Sequence, residues 1–189
     1  MLFRSITSRA SGVRLALQSP SGDVEAYGTY DGRTVVHQRD GSDTRVFATD
    51  HYAIPIGFLF CEPGGYLLRL CMSNNGMVGA VEAYSLMDGS RSVLRLNDPP
   101  SVAQLVPGGQ YVVIQDVKNR VTLSPIPALD REIELLPAVQ ARREIYVDEA
   151  TNTLVVRADN DVAAYDLGKI ADDRHLPTYE EACARYGVE

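Results

Sequence analysis

Tryptophan is absent from this 189-residue chain, and cysteine and histidine occur only three times each. Those shortages exclude several chemistries at once. Cys61, Cys71 and Cys183 have no paired close spacing, and the turn at 62–65 between the first two puts them far apart in an antiparallel hairpin. They are expected as unpaired thiols that serve as small hydrophobes. His37, His51 and His175 are scattered, which offers no metal-ligand spacing, and neither His37 nor His51 stands near a G-x-S-x-G nucleophile motif. Asp159, Asn160 and Asp161 lack the glycine and distal glutamate of a calcium loop. Gly64–Gly65 and Gly108–Gly109 open no helix and carry no following Lys-Ser/Thr pair, so they are hairpin turns rather than phosphate cradles. No catalytic residue, metal or cofactor is expected.

No apolar run approaches the roughly 18 residues of a membrane span. Acidic residues are missing before Asp23, while Arg4, Arg9 and Arg14 stand among Ser5, Thr7, Ser8 and Ser11, a composition like that of a mitochondrial transit segment. Against that reading, residues 13–18 are needed as the first strand of the repeat described below. A cytoplasmic setting is therefore expected, with a mitochondrial one as the alternative.

What is present is an ordinary globular composition, 45% hydrophobic and 23% charged, with a mean hydropathy of -0.12. The net charge of -7 and the isoelectric point near 5.0 lack the electrostatic footprint of a nucleic-acid or anionic-membrane binder. Neither is expected as a partner.

The chain's dominant signal is a unit of about forty residues that occurs four times, each reading strand, turn, strand, polar turn, strand. The first unit has strands at 13–18, 24–28, 34–38 and 44–48, with Ser-Pro-Ser-Gly and two Asp-Gly turns between them. The second has strands at 56–61, 66–72, 78–86 and 92–96, with Pro-Gly-Gly, Asn-Asn-Gly and Asp-Gly turns. The third has strands at 102–106, 111–116, 121–124 and 132–136, with Pro125 and Pro127 interrupting before its outer edge. The fourth supplies 144–148, 153–158 and 162–167 and no fourth strand. First strands begin at 13, 56, 102 and 144, at intervals of 43, 46 and 42 residues.

This pattern resembles WD-repeat and related β-propellers, whose blades are radially arranged four-stranded sheets. The resemblance covers residues 13–167, and Ala164-Tyr165-Asp166 stands where the family often ends a strand in Trp-Asp. It rests on the blade pattern, since the family's Gly-His dipeptide is not present. It implies an all-β propeller over residues 1–170, with blades at about 13–48, 56–96, 102–136 and 144–167. Residues 2–7, containing Leu2, Phe3 and Ile6, are left over as a short strand of the right length to complete the last blade. Closure within one chain, around two chains, or on another subunit are all compatible with that arrangement. A tail at 171–189 carries a helix, with Thr178 and Glu181 as a capping box and Tyr179, Ala182, Cys183 and Tyr186 as an apolar stripe.

The resemblance further implies that loops joining second to third strands converge on one face where protein partners dock. The candidate partner-binding residues are Tyr30, Asp31, Asn74, Asn75, Lys118, Arg120, Asn160 and Asp161, with Asp50, His51 and Asp98 nearby. That face is expected to be polar and net acidic, suited to a basic protein segment. The expected role is a non-catalytic interaction or scaffold propeller within a larger assembly, either a homodimer or a chain docked on another subunit. The alternative is a glycan-binding, hydrolase or lyase propeller with a central-channel site. The inner strands are mainly apolar, with Arg14, Gln104, Glu144 and Asp148 as exceptions, which favours the scaffold.

Overall fold

The computed structural model describes residues 12–47, 54–158 and 161–172. Among the described residues fifteen strands make up four antiparallel sheets, and one short α-helix follows them. The first sheet is β1 (Val13–Gln18), β2 (Val24–Thr29), β3 (Thr34–Gln38) and β4 (Thr44–Phe47); the second is β5 (Ile54–Cys61), β6 (Tyr66–Met72), β7 (Gly79–Ser85) and β8 (Arg91–Leu96). The third is β9 (Pro100–Leu105), β10 (Tyr111–Asp116), β11 (Val121–Pro125) and β12 (Ile133–Leu136); the fourth has only β13 (Arg143–Asp148), β14 (Thr153–Ala158) and β15 (Asp161–Asp166). The helix α1 spans Leu167–Asp172. Within every sheet the spatial order is the chain order, so each is a meander whose strands pair with their sequence neighbours.

Turn chemistry sets these reversals. Gly22, Gly32, Gly41, Gly76 and Gly89 all take positive φ, the region an L side chain resists and glycine accepts. The turn expected at 62–65 is a single 3-10 turn over Glu62–Gly64. Leu167, expected to end the last strand, instead opens α1, where Asp166 Oδ1 accepts the Lys169 backbone N–H at 3.2 Å and so starts the helix. Pro125, expected to interrupt the chain after its strand, is the last residue of β11, paired with Tyr111. The remaining strand ends differ from expectation by one or two residues, within the fraying of any ladder. The expected strand at 2–7 and helix after Thr178 lie outside the described residues, as do Asp50, His51, Asn160, His175 and Cys183.

Alternation along the strands gives every sheet two faces, and three apolar clusters join successive sheets. Leu15, Ala26, Val36 and Phe47 meet Phe58, Phe60, Leu67 and Tyr84 between the first and second sheets. Leu68, Leu70, Val81 and Leu94 meet Val112 and Ile114 between the second and third. Val113, Val121, Leu123 and Ile133 meet Ile145, Leu154, Val156 and Tyr165 between the third and fourth, where Leu167 and Ile170 of α1 also bury. The inner strands pack in sequence, β1 on β5, β5 on β9 and β9 on β13. Among the described residues no apolar cluster joins the fourth sheet to the first. The four sheets are thus consecutive propeller blades laid out as an arc.

Polar side chains also stitch blades together. Gln104 of β9 donates from Nε2 to the Ile145 carbonyl at 3.0 Å and accepts the Val147 N–H at 2.6 Å, repeating a backbone bridge across to β13. At the second-to-third blade boundary Cys61 Sγ lies 3.2 Å from the Gly109 carbonyl oxygen. Gly109 has φ +67, and a Cβ there would approach Cys61 Sγ to 2.5 Å. Gly109→Ala is therefore expected to lower stability by at least about 1–2 kcal/mol from the left-handed backbone alone, read as a lower denaturant midpoint; an unchanged midpoint would refute this.

Cys71 is likewise sealed in the second blade, and burial, aided by the nearby Glu82 carboxylate, pushes its thiol from 9.0 up to about 12. The unfolded chain ionises this thiol first, so the stability it contributes is complete below pH 9 and falls as pH rises toward 12. Thiol alkylation at pH 8 followed by peptide mapping is expected to leave Cys71 unmodified until denaturant is added.

Candidate interaction face

Strand register fixes where the loops go. The start of each inner strand lies beside the end of its second strand, as in Val13 with Thr29, Ile54 with Met72, Pro100 with Asp116, and Arg143 with Ala158. The turns between second and third strands, and the connections from one blade to the next, consequently share one end of the arc. Hydrogen bonds tie them together there. The Val117 N–H donates to the Pro99 carbonyl at 3.0 Å, the Val139 N–H to the Lys118 carbonyl at 3.0 Å, and Asn119 Nδ2 to the Val139 carbonyl at 3.2 Å.

The candidate residues fall into two groups at this end. In the first blade Tyr30 is 66% exposed, with the Arg14 guanidinium 5.9 Å from its ring centre. Beside it the Asp31 carboxylate accepts from Thr29 and pairs with Arg33 at 2.5 Å. In the second blade Asn74 and Asn75 are exposed, and Asn75 Oδ1 accepts from Ser73 Oγ at 2.6 Å and from the Met77 N–H at 3.1 Å. This side-chain clasp fixes the turn and presents Met77, which is 69% exposed. In the third blade Lys118 is exposed and pairs with Asp98 of the preceding connection at 2.9 Å. Asp161 is exposed at the start of β15.

Arg120 belongs to the framework. Its Nε and Nη2 pair with Asp116 and Glu132, both at 3.2 Å, and although burial works against its charge, Glu132 and Asp116 hold its pKa above the ordinary value. Asp116 Oδ1 also accepts the Lys118 and Arg120 N–H groups at 2.8 and 3.0 Å, locking that turn. Of the acidic side chains expected to give this face a net charge, Asp31 is matched by Arg33 and Asp98 by Lys118, and the framework carboxylate Asp116 is matched by Arg120. Met77 was not among the sequence candidates; its place after a fixed Asn-Asn-Gly turn was the signal.

The opposite ends of the inner strands border a groove of about 590 Å³ lined by Leu59, Ala103–Leu105 and 146–150. Its two carboxylates belong to Asp148 and Glu149. Thr151 Oγ1 and the Ala150 N–H donate to Asp148 and hold its carboxyl below the usual range, so it is spent as a turn-forming anion. Among the described residues no three His, Cys, Asp or Glu side chains gather as a metal-binding group.

The arrangement has close likenesses among solved folds. No protein-family model and no curated protein sequence matches the chain. The β-propeller domain of Myceliophteria thermophila Cps50 (Swd1) is similar in structure, with a TM-score of 0.62 at 18% identity over 86% of this chain and 54% of that one. The C-terminal WD40 domain of Sif2 is also similar, with a TM-score of 0.56 at 12% identity over 82% of this chain and 45% of that one. The fold is a WD40-type β-propeller fold. The chain spans about half the length of each of these propellers, four blades' worth, and none of its helices is long and apolar enough to cross a membrane among the described residues.

Proposed function

We propose that this chain is a protein-binding module without catalysis of its own, which docks a partner segment on the face carrying Tyr30, Asn74, Asn75, Met77 and Lys118. The observation that carries this reading is the pairing of exposed, adaptable side chains with turns whose backbones are already fixed. Asp31, Asn75 and Asp116 each clasp their own turn, so little further ordering is needed when a partner binds. Tyr30 and Met77 supply apolar contact, and Asn74 and Lys118 supply hydrogen bonds. Because Asp31 and Asp98 are matched by neighbouring cations, recognition there depends on shape and hydrogen bonding more than on bulk attraction of a basic segment. The inner groove supports the glycan-binding or hydrolytic alternative less well, since its lining combines no nucleophile with a base.

Site-specific photo-crosslinking tests the face directly. A photoreactive side chain at Tyr30 or Met77 is expected to trap discrete protein adducts. The same group at Met87, 82% exposed at the other end of the second blade, is expected to trap none of them. Identical adducts from all three positions would sink the assignment.

A further inference from the structure

Asn75 is the only asparagine of the chain that is followed by glycine, and it sits in the turn that joins β6 to β7. An asparagine side chain is open to attack by the backbone nitrogen of the next residue, and glycine, with no Cβ, leaves that nitrogen least hindered. Gly76 has φ +69, and no atom lies within 4 Å of the place a Cβ would take. Residues 74–78 are all exposed, so water reaches both reacting groups.

We propose that the Asn75–Gly76 turn is a self-modification site, at which an amide of the docking face converts to a carboxylate. The Gly76 nitrogen gives its proton to solvent base and bonds to Asn75 Cγ. The Cγ–Nδ2 bond breaks, and Nδ2 takes up a solvent proton and leaves as ammonia. Water then opens the cyclic imide at either carbonyl, giving aspartate or, with the backbone rerouted through the side chain, isoaspartate. Water is the only co-reactant, and nothing is oxidised or reduced.

The turn's own hydrogen bonds single out Asn75. Its Oδ1 accepts from Ser73 Oγ at 2.6 Å and from the Met77 N–H at 3.1 Å, and because a backbone N–H only donates, the oxygen end of the amide is fixed. The bond to Met77 closes a ring that contains the Gly76 nitrogen, so Cγ is held near the atom that attacks it. Both donors also stand where negative charge collects as that nitrogen adds. The leaving group Nδ2 makes no hydrogen bond among the described residues.

Other turns lack this combination. Asn119 precedes an arginine, and its amide is tied at both ends, Oδ1 to Gln115 Nε2 and Nδ2 to the Val139 carbonyl. The Asp-Gly turns at 31–32, 40–41 and 88–89 present carboxylates, which resist attack while ionised; the Ser42 and Ser85 hydroxyls hold those of Asp40 and Asp88 below the usual range. One contact opposes the reaction at Asn75. The Gly76 N–H donates to the Ser73 carbonyl at 2.9 Å, which makes conversion slow and dependent on base.

No Lys or Arg occurs in 73–78, so the new charge has no counter-ion in its own turn, and the isoaspartate form breaks the clasp that presents Met77. This consequence for binding rests on the reading of this end as the docking face; the conversion itself does not.

The test is ageing of the full folded chain at mildly acidic and mildly alkaline pH, followed by peptide mapping that separates asparagine, aspartate and isoaspartate. Asn75 is expected to convert at least ~10-fold faster than any other asparagine, faster at the higher pH, and Gly76→Ala is expected to slow it by a similar factor. Should Gly76→Ala not fold, the ranking within the wild-type chain still decides. Asn75→Asp, which keeps an acceptor for Ser73 and Met77, is expected to lower the yield of photo-crosslinked adducts from Met77 at least ~3-fold by placing an unmatched charge in the contact. Equal conversion at all asparagines, an Asn75 that keeps its amide, or a rate indifferent to Gly76→Ala would overturn the site. An adduct yield unchanged by Asn75→Asp would overturn its effect on binding. Conversion at Asn75 with no adducts from Tyr30 or Met77 would remove the docking face and leave the modification standing, whereas adducts with a stable Asn75 would do the reverse.

Discussion

Glu82→Leu is expected to cost about 3–5 kcal/mol of folding stability, the penalty for leaving a buried charge without its counter-ion. Arg69 and Glu82 are 0% and 1% exposed and face each other across β6 and β7, with Arg69 Nη1 3.3 Å from Glu82 Oε2. Arg69 Nη2 reaches across the blade boundary to the Gly32 carbonyl at 2.8 Å, and the Tyr84 hydroxyl donates to Glu82 at 2.6 Å. Burial, with Glu82 alongside, drives the Tyr84 phenol well above its ordinary pKa, so it remains a donor at neutral pH. Its ring rests 4.3 Å from that of Phe47 on the first blade. The pair thereby fixes how the second blade seats on the first.

Losing the carboxylate leaves a guanidinium that stays charged in a site buried from solvent. Arg69→Met combined with Glu82→Leu is expected to recover most of the loss, because two apolar side chains of similar volume remove both charges together. The comparison is a double-mutant cycle in urea. A single substitution costing less than about 1 kcal/mol, or a double variant no better than Glu82→Leu, would show that the pair is not an energetic unit.

That pair also shows where the sequence was readable and where it was not. The strands were readable because each is bounded by a glycine, asparagine or proline whose backbone preference acts locally, as at Gly32, Gly76 and Gly89. Arg69 within YLLRLCM and Glu82 within GAVEAYS are single opposite charges in otherwise apolar strands. Their meeting depends on hairpin register, and the Gly32 carbonyl that completes the site lies on another blade. Gln104 stood out as a polar residue on an inner strand, but its partners, the Ile145 carbonyl and Val147 N–H, are set by blade packing. The candidate face divides the same way. Turn positions of Tyr30, Asn74 and Asn75 follow from local chemistry, whereas the diversion of Arg120 to Glu132 and of Lys118 to Asp98 comes from contacts between strands and connections. Helix α1 was missed because Gly168 is a poor helix former; Leu167 and Ile170 on the third-to-fourth blade core hold it instead.

Leu154→Ala is expected to cost about 2–5 kcal/mol, and the cost is expected to be confined to the last blade. Leu154 is fully buried at the centre of the cluster between the third and fourth blades, paired with Val147 on one side and Tyr165 on the other. Among the described residues the fourth blade's apolar contact is with the third alone, so a cavity there weakens one interface of a nearest-neighbour array and leaves the others intact. Gln104 and Gln115, which donate to Ile145 and Arg143 carbonyls, still tether β13 but bury little apolar surface. Amide hydrogen exchange resolves the two possibilities. Exchange in β13–β15 and α1 is expected to quicken by roughly 30-fold or more, the rate equivalent of the lower end of that cost, while β5–β8 keep wild-type protection. Equal acceleration across all four sheets would mean that the arc unfolds as one cooperative body, and the blade-by-blade account of its stability would fall.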